Sequence, residues 1–253
     1  MKLVTFNIRY DCGQDRENNF CHRKPLILEK IRQEAPDILC FQEVLPHMAM
    51  WLKENLKEFY VVGCPREAQL DGEQASIAFR SSKWNLLQMD TYWLSPTPWV
   101  PGSRYNVQSI CPRVCTEVLL QELASGKVLR VINTHLDHEG APARLLAVQQ
   151  ILQKLKSEHL FPQAPVILAG DLNAGPDSEE IRLLCAIMRN ESADIGHTFH
   201  QFGQGENLQI DYIFTKGDVI CRHVEKWTDC KNGIYLSDHY PVCAILELQD
   251  CEP

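Results

Sequence analysis

Two stretches, Asp37-Ile38-Leu39-Cys40-Phe41-Gln42 and Pro165-Val166-Ile167-Leu168-Ala169, are apolar almost without a break, and each runs straight into acid and amide residues. A strand that shows no polar alternation is buried on both faces, so neither stretch can lie on an exposed sheet. Helical patterns flank both, which predicts a layered α/β architecture with helices outside. The first run ends on Gln42-Glu43 and the second on Gly170-Asp171-Leu172-Asn173. A third strand-like run ends on Asn133-Thr134-His135-Leu136-Asp137-His138, and Ser237-Asp238-His239-Tyr240-Pro241-Val242 leads into a fourth. Carboxylates, amides and imidazoles at the ends of separate strands are the groups that metal-assisted phosphoester hydrolysis needs.

Between these anchors the periodicities alternate. Strands are predicted over 2–8, 58–63, 75–80, 84–95, 113–123, 128–134, 209–215, 218–227 and 242–248, several joined by Gly or Ser turns. Helices are predicted over 23–34, 46–57 and 142–157, the last carrying Leu145, Val148, Leu152 and Leu155 on one stripe. A further helix starts at Asp177-Ser178-Glu179-Glu180 and continues through Ile181, Leu184, Cys185 and Met188. No linker, repeat or shift of composition divides the 253 residues, so one domain over 1–253 is expected.

The charge is −8, from 25 Lys+Arg against 33 Asp+Glu, with no basic run. Proteins that grip duplex DNA by its phosphates carry a basic face, so strong duplex binding is not expected. Eleven scattered cysteines without a CxxC pair indicate free thiols in a reducing compartment, and the paired spacings of a zinc site are missing. Met1-Lys2-Leu3-Val4-Thr5-Phe6-Asn7 reads as a strand and not as a signal segment, and no run reaches membrane-spanning length. A cytoplasmic protein without a membrane partner is expected.

Thr5-Phe6-Asn7-Ile8-Arg9, Phe41-Gln42-Glu43, Asn133-Thr134-His135-Leu136-Asp137, Gly170-Asp171-Leu172-Asn173, Ile210-Asp211-Tyr212 and Ser237-Asp238-His239 together resemble the endonuclease/exonuclease/phosphatase superfamily. Any one of these motifs is weakly specific; the ordered set, from residue 3 to residue 246, is very specific. Asn7-Ile8-Arg9-Tyr10-Asp11, Trp93-Leu94-Ser95 and Cys111-Pro112-Arg113 look like its compact, stand-alone bacterial branch. The resemblance implies a four-layer α/β sandwich: two mixed β-sheets packed face to face and flanked by helices, with the site at one edge. It also implies divalent-metal-dependent cleavage of a phosphoester.

The residue chemistry supports that expectation independently. Mg²⁺, with Mn²⁺ as the other candidate, prefers oxygen ligands and needs only one or two carboxylates. Glu43 is the first choice of ligand, which is also its role by resemblance; Asn7 can complete the shell, and Asp238 is a second-site or outer acid. Asp171 and Asn173 stand two apart after a buried strand, so alternation would aim both into the cleft. By resemblance, Asp171 orients or deprotonates the attacking water and Asn173 donates to the phosphate. His239 is expected to pair with Asp211, acting either as general base or as a charged clamp. His135 should reach a phosphate or leaving-group oxygen as imidazolium. Arg113, and with it Arg104, matches phosphate in a bidentate way.

Each residue also has a plainer reading. His22, His47, His159 and His223 are read as surface or structural; His138 and His200 are open. Asp171 can be a turn residue and Asp211 a structural acid. Trp93, Trp99 and Tyr105, among prolines, form either a stacking lip or loop packing, and Gly196-His197-Thr198-Phe199 is a weak candidate for a substrate loop. The expected substrate is a phosphorylated small molecule or a single-stranded nucleic acid. The rivals are a nuclease acting on structured or damaged DNA, and a catalytically silent binding module.

Overall fold

The computed structural model describes residues 1–205 and 207–249. Its strands are β1 (Lys2–Asn7), β2 (Ile38–Val44), β3 (Phe59–Val62), β4 (Gln74–Arg80), β5 (Trp84–Trp93), β6 (Val114–Glu122) and β7 (Val128–His135). There follow β8 (Val166–Asp171), β9 (Arg189–Asn190), β10 (Asp211–Lys216), β11 (Val219–Lys226), β12 (Cys230–Lys231), β13 (Ile234–Tyr235) and β14 (Val242–Leu248). The helices are α1 (Phe20–Glu34), α2 (Pro46–Asn55), α3 (Ala141–Ser157) and α4 (Glu179–Cys185).

Two six-stranded sheets run in the orders β11-β14-β1-β2-β4-β3 and β5-β6-β7-β8-β10-β9. In each sheet only the central pair, β1 with β2 and β7 with β8, is parallel. A parallel pair needs a crossover. Helices α1 and α3 supply it, so all four strands end at the same edge of their sheets.

The unbroken apolar runs separate into two faces. Leu3, Ile38, Cys40, Val131, Ile167 and Ala169 meet in a core between the sheets that contains no helix residue. Val4, Phe6, Leu39 and Phe41 face the other way, onto Ile27 and Ile31 of α1 and Met48 and Leu52 of α2. Ile132 and Leu168 likewise pack on Val148, Ile151 and Leu152 of α3 and on Ile181 and Leu184 of α4. The result is the four-layer α/β sandwich the resemblance implied.

Differences from the sequence reading are local. The α1 helix starts three residues early, at Phe20, whose ring packs edge-on against Trp51 at 5.1 Å. The buried stripe of α3 centres on Ala147, Val148, Ile151 and Leu152, while Leu145 is only half-buried. The α4 helix is shorter than predicted, ending at Cys185, and Cys185 is exposed. Strands β9, β12 and β13 have two residues each, too few for a periodic signal. Among the described residues all cysteines are free, and Cys40, Cys115 and Cys243 are buried; Cys251 lies outside those residues. No helix among them is long and apolar enough to cross a membrane.

Gly170 has a φ of +152°, and a Cβ there would stand 2.0 Å from the Thr134 carbonyl oxygen on β7. Gly170→Ala is therefore expected to destabilise the fold by about 2–3 kcal/mol. Its urea midpoint should fall; an unchanged midpoint would show that β7 yields to the methyl at no cost.

Candidate active site

The inter-sheet face turns from apolar to polar at the edge where the four parallel strands end. On β1 the inward row reads Leu3, Thr5, Asn7; on β2, Ile38, Cys40, Gln42. On β7 it reads Val131, Asn133, His135, and on β8, Ile167, Ala169, Asp171. The antiparallel neighbours begin at this same edge: Asp211 of β10 pairs with Asp171, and His239 lies three residues before Val242, which pairs with Thr5. A polar lock lies beneath the site. The Gln42 amide donates to Asn133 Oδ1 at 2.7 Å and to Thr5 Oγ1 at 3.1 Å, and Asn133 donates to the Phe41 and Ser76 carbonyls.

Glu43 does not belong to that inward row, because alternation would turn it toward α1 and α2. Instead β2 bulges between Phe41 and Val44, and Glu43 takes a left-handed φ of 62°. A non-glycine residue there costs about 1–2 kcal/mol. This turn brings the carboxylate to the cleft, where Oε1 accepts from Asn7 Nδ2 at 3.0 Å and Oε2 from the Tyr10 amide at 2.9 Å. Asn7 is oriented differently from its expected role as a metal ligand. Its Nδ2 donates to Glu43 and, at 2.9 Å, to Asp171 Oδ2, while its oxygen accepts from the Arg9 amide.

His239 Nδ1 pairs with Asp211 Oδ2 at 2.8 Å, as the sequence indicated, and Nε2 lies 3.8 Å from Asp171 Oδ2. Burial opposes charge on this ring, but Asp211, Asp171 and Asp238 outweigh it and lift the imidazole to about 10. It carries a proton at neutral pH. Burial, followed by the charge of Asp211, pushes the Asp171 carboxyl up to about 7. The alternation expected to carry on to Asn173 ends at Asp171, where β8 stops; Asn173 has a left-handed φ of 48°. Its amide hydrogen bonds to Asp171 Oδ1 at 2.9 Å and its Nδ2 donates to the Leu136 carbonyl, leaving one side-chain N–H for other partners.

His135 Nε2 is 3.5 Å from Asp171 Oδ2. Burial, then the charges of Arg113 and Arg66, hold its pKa well below the ordinary histidine value, which works against the imidazolium expected there. Arg113 is buried, and its Nη2 donates to His138 Nδ1 at 2.9 Å. Because a guanidinium only donates, His138 must accept at Nδ1, so this histidine positions Arg113.

The other candidates pack. Arg104 donates to the Ser109 carbonyl, Trp93 is buried with its indole on the Arg66 carbonyl, and Tyr105 donates to Gln150; Trp99 alone of the proposed lip is exposed. Thr198 accepts from the amides of Ile210 and Asp211, and the half-buried Phe199 ring lies 5.0 Å from that of His239, so this segment buttresses β10 and borders the site. His200 is buried, stacked on Tyr240 at 3.8 Å.

Three residues went unnoticed in the sequence. Arg23, on the buried face of α1, donates to the carbonyls of Ile8, Arg9, Asn18 and Leu236 at 2.6–2.9 Å, tying the segment after Asn7 to the one before Asp238. Burial lowers its pKa to about 10. Its only sequence signal is a charge at i−4 from Ile27 on an apolar stripe. Arg66 and Glu73 pair through two bonds, of 2.8 and 2.9 Å, beside Glu43. Their loop carries no periodic pattern at all.

The donor set suits a hard cation. Glu43, Asp238 and Glu73 crowd one side of the cleft; burial and then the charge of Glu43 raise the Glu73 carboxyl, and burial raises that of Asp238. Such an excess of carboxylate is what a divalent ion neutralises. Asp171, Asp211 and His239 also bring ligand-type atoms within 4.8 Å of one another. There, His239 Nδ1 is already bonded to Asp211 at 2.8 Å.

Two facing mixed sheets whose strand ends gather carboxylates, amides and imidazoles define a layered α/β scaffold with its polar groups at one edge. The chain belongs to the Endonuclease/Exonuclease/phosphatase family, whose profile matches residues 4–239. It is similar to an endonuclease/exonuclease/phosphatase from Bacteroides vulgatus, at 30% identity and a TM-score of 0.92 over 98% of both chains. It also shares its fold with a mannosyl-6-phosphatase from Bacteroides thetaiotaomicron, at 24% identity and a TM-score of 0.89, covering 98% of this chain and 100% of that one. TDP2 of D. rerio, solved with a single-strand DNA product, has the same fold at 18% identity and a TM-score of 0.77, over 98% of each chain.

Proposed function

We propose that this chain is a divalent-metal-dependent phosphoesterase, using Mg²⁺ or Mn²⁺, that hydrolyses a small phosphorylated molecule or a single-stranded nucleic acid by attack of water on phosphorus. The observation that carries the reading is His239, bonded to Asp211 at 2.8 Å and 3.8 Å from the buried carboxylate of Asp171, next to the bulge-turned Glu43. Glu43 would hold the ion, with Asp238 nearby; Asn7 spans Glu43 and Asp171 through its amide nitrogen. When bound, the cation neutralises phosphate charge and makes a coordinated water more acidic.

His239 has no free lone pair, so Asp171 is the group that takes the proton as the water oxygen bonds to phosphorus. The P–O ester bond breaks and the leaving oxygen departs. His239, kept charged by Asp211, stabilises the negative charge that develops on the phosphoryl oxygens. Asn173 donates its remaining N–H, and neutral His135 contributes a ring N–H and not a charge.

The net charge of −8 and the lack of a basic run favour small or single-stranded substrates. The mannosyl-6-phosphatase and the single-strand DNA complex among the structural relatives are of those two kinds. The completeness of the constellation speaks against a silent module. Free thiols suit a cytoplasmic location.

The test is turnover of p-nitrophenyl phosphate, bis-p-nitrophenyl phosphate, nucleotides, sugar phosphates and single- and double-stranded DNA, with Mg²⁺ and then with EDTA. At least one substrate should be hydrolysed and the activity should disappear in chelator, returning with added ion. Hydrolysis that persists unchanged in EDTA would sink the proposal.

A further inference from the structure

Arg113 is a buried cation that is hydrogen-bonded to no carboxylate. It is 4% exposed, and its Nε and Nη1 have no hydrogen-bond partner. The nearest carboxylate, Asp137, stands 3.8 Å from Nε, and its oxygens already accept from Ser109 and the Gly140 amide. Arg66 differs, because both its Nη atoms are bonded to Glu73. A guanidinium taken out of water is costly unless an anion meets it, so the arrangement points to a ligand that supplies one.

Arg113 borders a recess also lined by Glu43, Arg66, Glu73 and His135. Its volume is about 10 Å³, room for roughly one oxygen atom. The His135 Nδ1 atom on this wall is also unbonded, 3.9 Å from Glu73 Oε2. The Arg66–Glu73 pair forms the facing wall.

Resting on the phosphoesterase reading above, we propose that this recess receives one unesterified oxygen of the substrate phosphate on Arg113 Nε and Nη1, and that the buried guanidinium thereby favours the more highly charged phosphomonoester over the phosphodiester. A monoester presents three terminal oxygens and a diester two. Near pH 7 a monoester phosphate carries close to two negative charges and a diester one. An oxygen with full charge gains most from two guanidinium N–H groups in a dry site.

The experiment compares kcat/KM for p-nitrophenyl phosphate and bis-p-nitrophenyl phosphate, with Mg²⁺, in wild type, Arg113→Met and Arg113→Lys. Wild type should prefer the monoester by at least about tenfold, the scale of one charge-assisted hydrogen bond. Arg113→Met should lose about 100-fold on the monoester and far less on the diester. Arg113→Lys, which keeps charge without the fork, should fall between them. Equal efficiency on the two esters in wild type, or equal proportional losses in the variants, would overturn the selection while leaving the phosphoesterase reading intact. If wild type hydrolyses neither ester, that reading fails at these substrates, and titration with inorganic phosphate then decides the recess separately. Phosphate binding lost in Arg113→Met supports an anion site, and an absence of binding to wild type overturns it.

Discussion

Replacing His239 with asparagine should lower kcat by about 10³-fold or more, the range associated with losing a proton-handling or charge-stabilising group from a site of this kind. Asparagine keeps a donor near Nδ1 and so can still reach Asp211, but it cannot carry the charge that Asp211, Asp171 and Asp238 impose on the imidazole. The loss should therefore fall on kcat more than on KM, because the missing charge acts most strongly as negative charge builds at phosphorus. The site is buried, so the variant's thermal midpoint has to be measured alongside. A folded variant that retained more than a tenth of wild-type kcat would remove His239 from the chemistry and leave its pair with Asp211 as a structural tie.

Glu43→Gln should separate ion binding from folding. The substitution keeps the size of the side chain and one acceptor for the Asn7 amide, but removes a charge from a cleft it shares with Glu73, Asp238 and Asp171. Without metal, relief of carboxylate repulsion should offset the lost bond to the Tyr10 amide, so the thermal midpoint should change little or rise. Adding Mg²⁺ should raise the midpoint of wild type, because an ion that binds only the folded state stabilises it by mass action. The variant should lose most of that increase, and the Mg²⁺ concentration for half-maximal activity should climb by about tenfold or more. An undiminished Mg²⁺-dependent increase in Glu43→Gln would move the ion to other ligands, with Asp238 the first to examine.

The two substitutions touch residues that differ in how far the sequence alone could describe them. The inward rows ending in Asn7, Gln42, His135 and Asp171 were present in the linear order, because each continues the two-residue period of a strand buried on both faces. Parallel pairing through α1 and α3 follows from the same alternation of strand and helix patterns, and it forces those four ends to one edge. The pairing of Asp211 with His239 was readable as chemistry before any distance was known. These features are local, and side-chain periodicity records them.

What the sequence could not determine depends on charges brought together from distant segments. Glu43 sits on the wrong side of its strand's alternation and reaches the cleft only through a bulge, whose left-handed backbone leaves no mark in residue type. His239 and His135 have the same side chain near strand ends at one edge, yet the pKa of the first is raised and that of the second lowered. The difference is that Asp211 and Asp171 surround the first while Arg113 and Arg66 stand beside the second. Arg23 went unnoticed in the sequence and is a buried tie for four carbonyls, and Arg113 carries two N–H groups without an acceptor. The sequence by itself determined which residues stand at the strand ends; the tertiary structure decided their charge and direction, because both depend on low-dielectric neighbours up to two hundred residues apart.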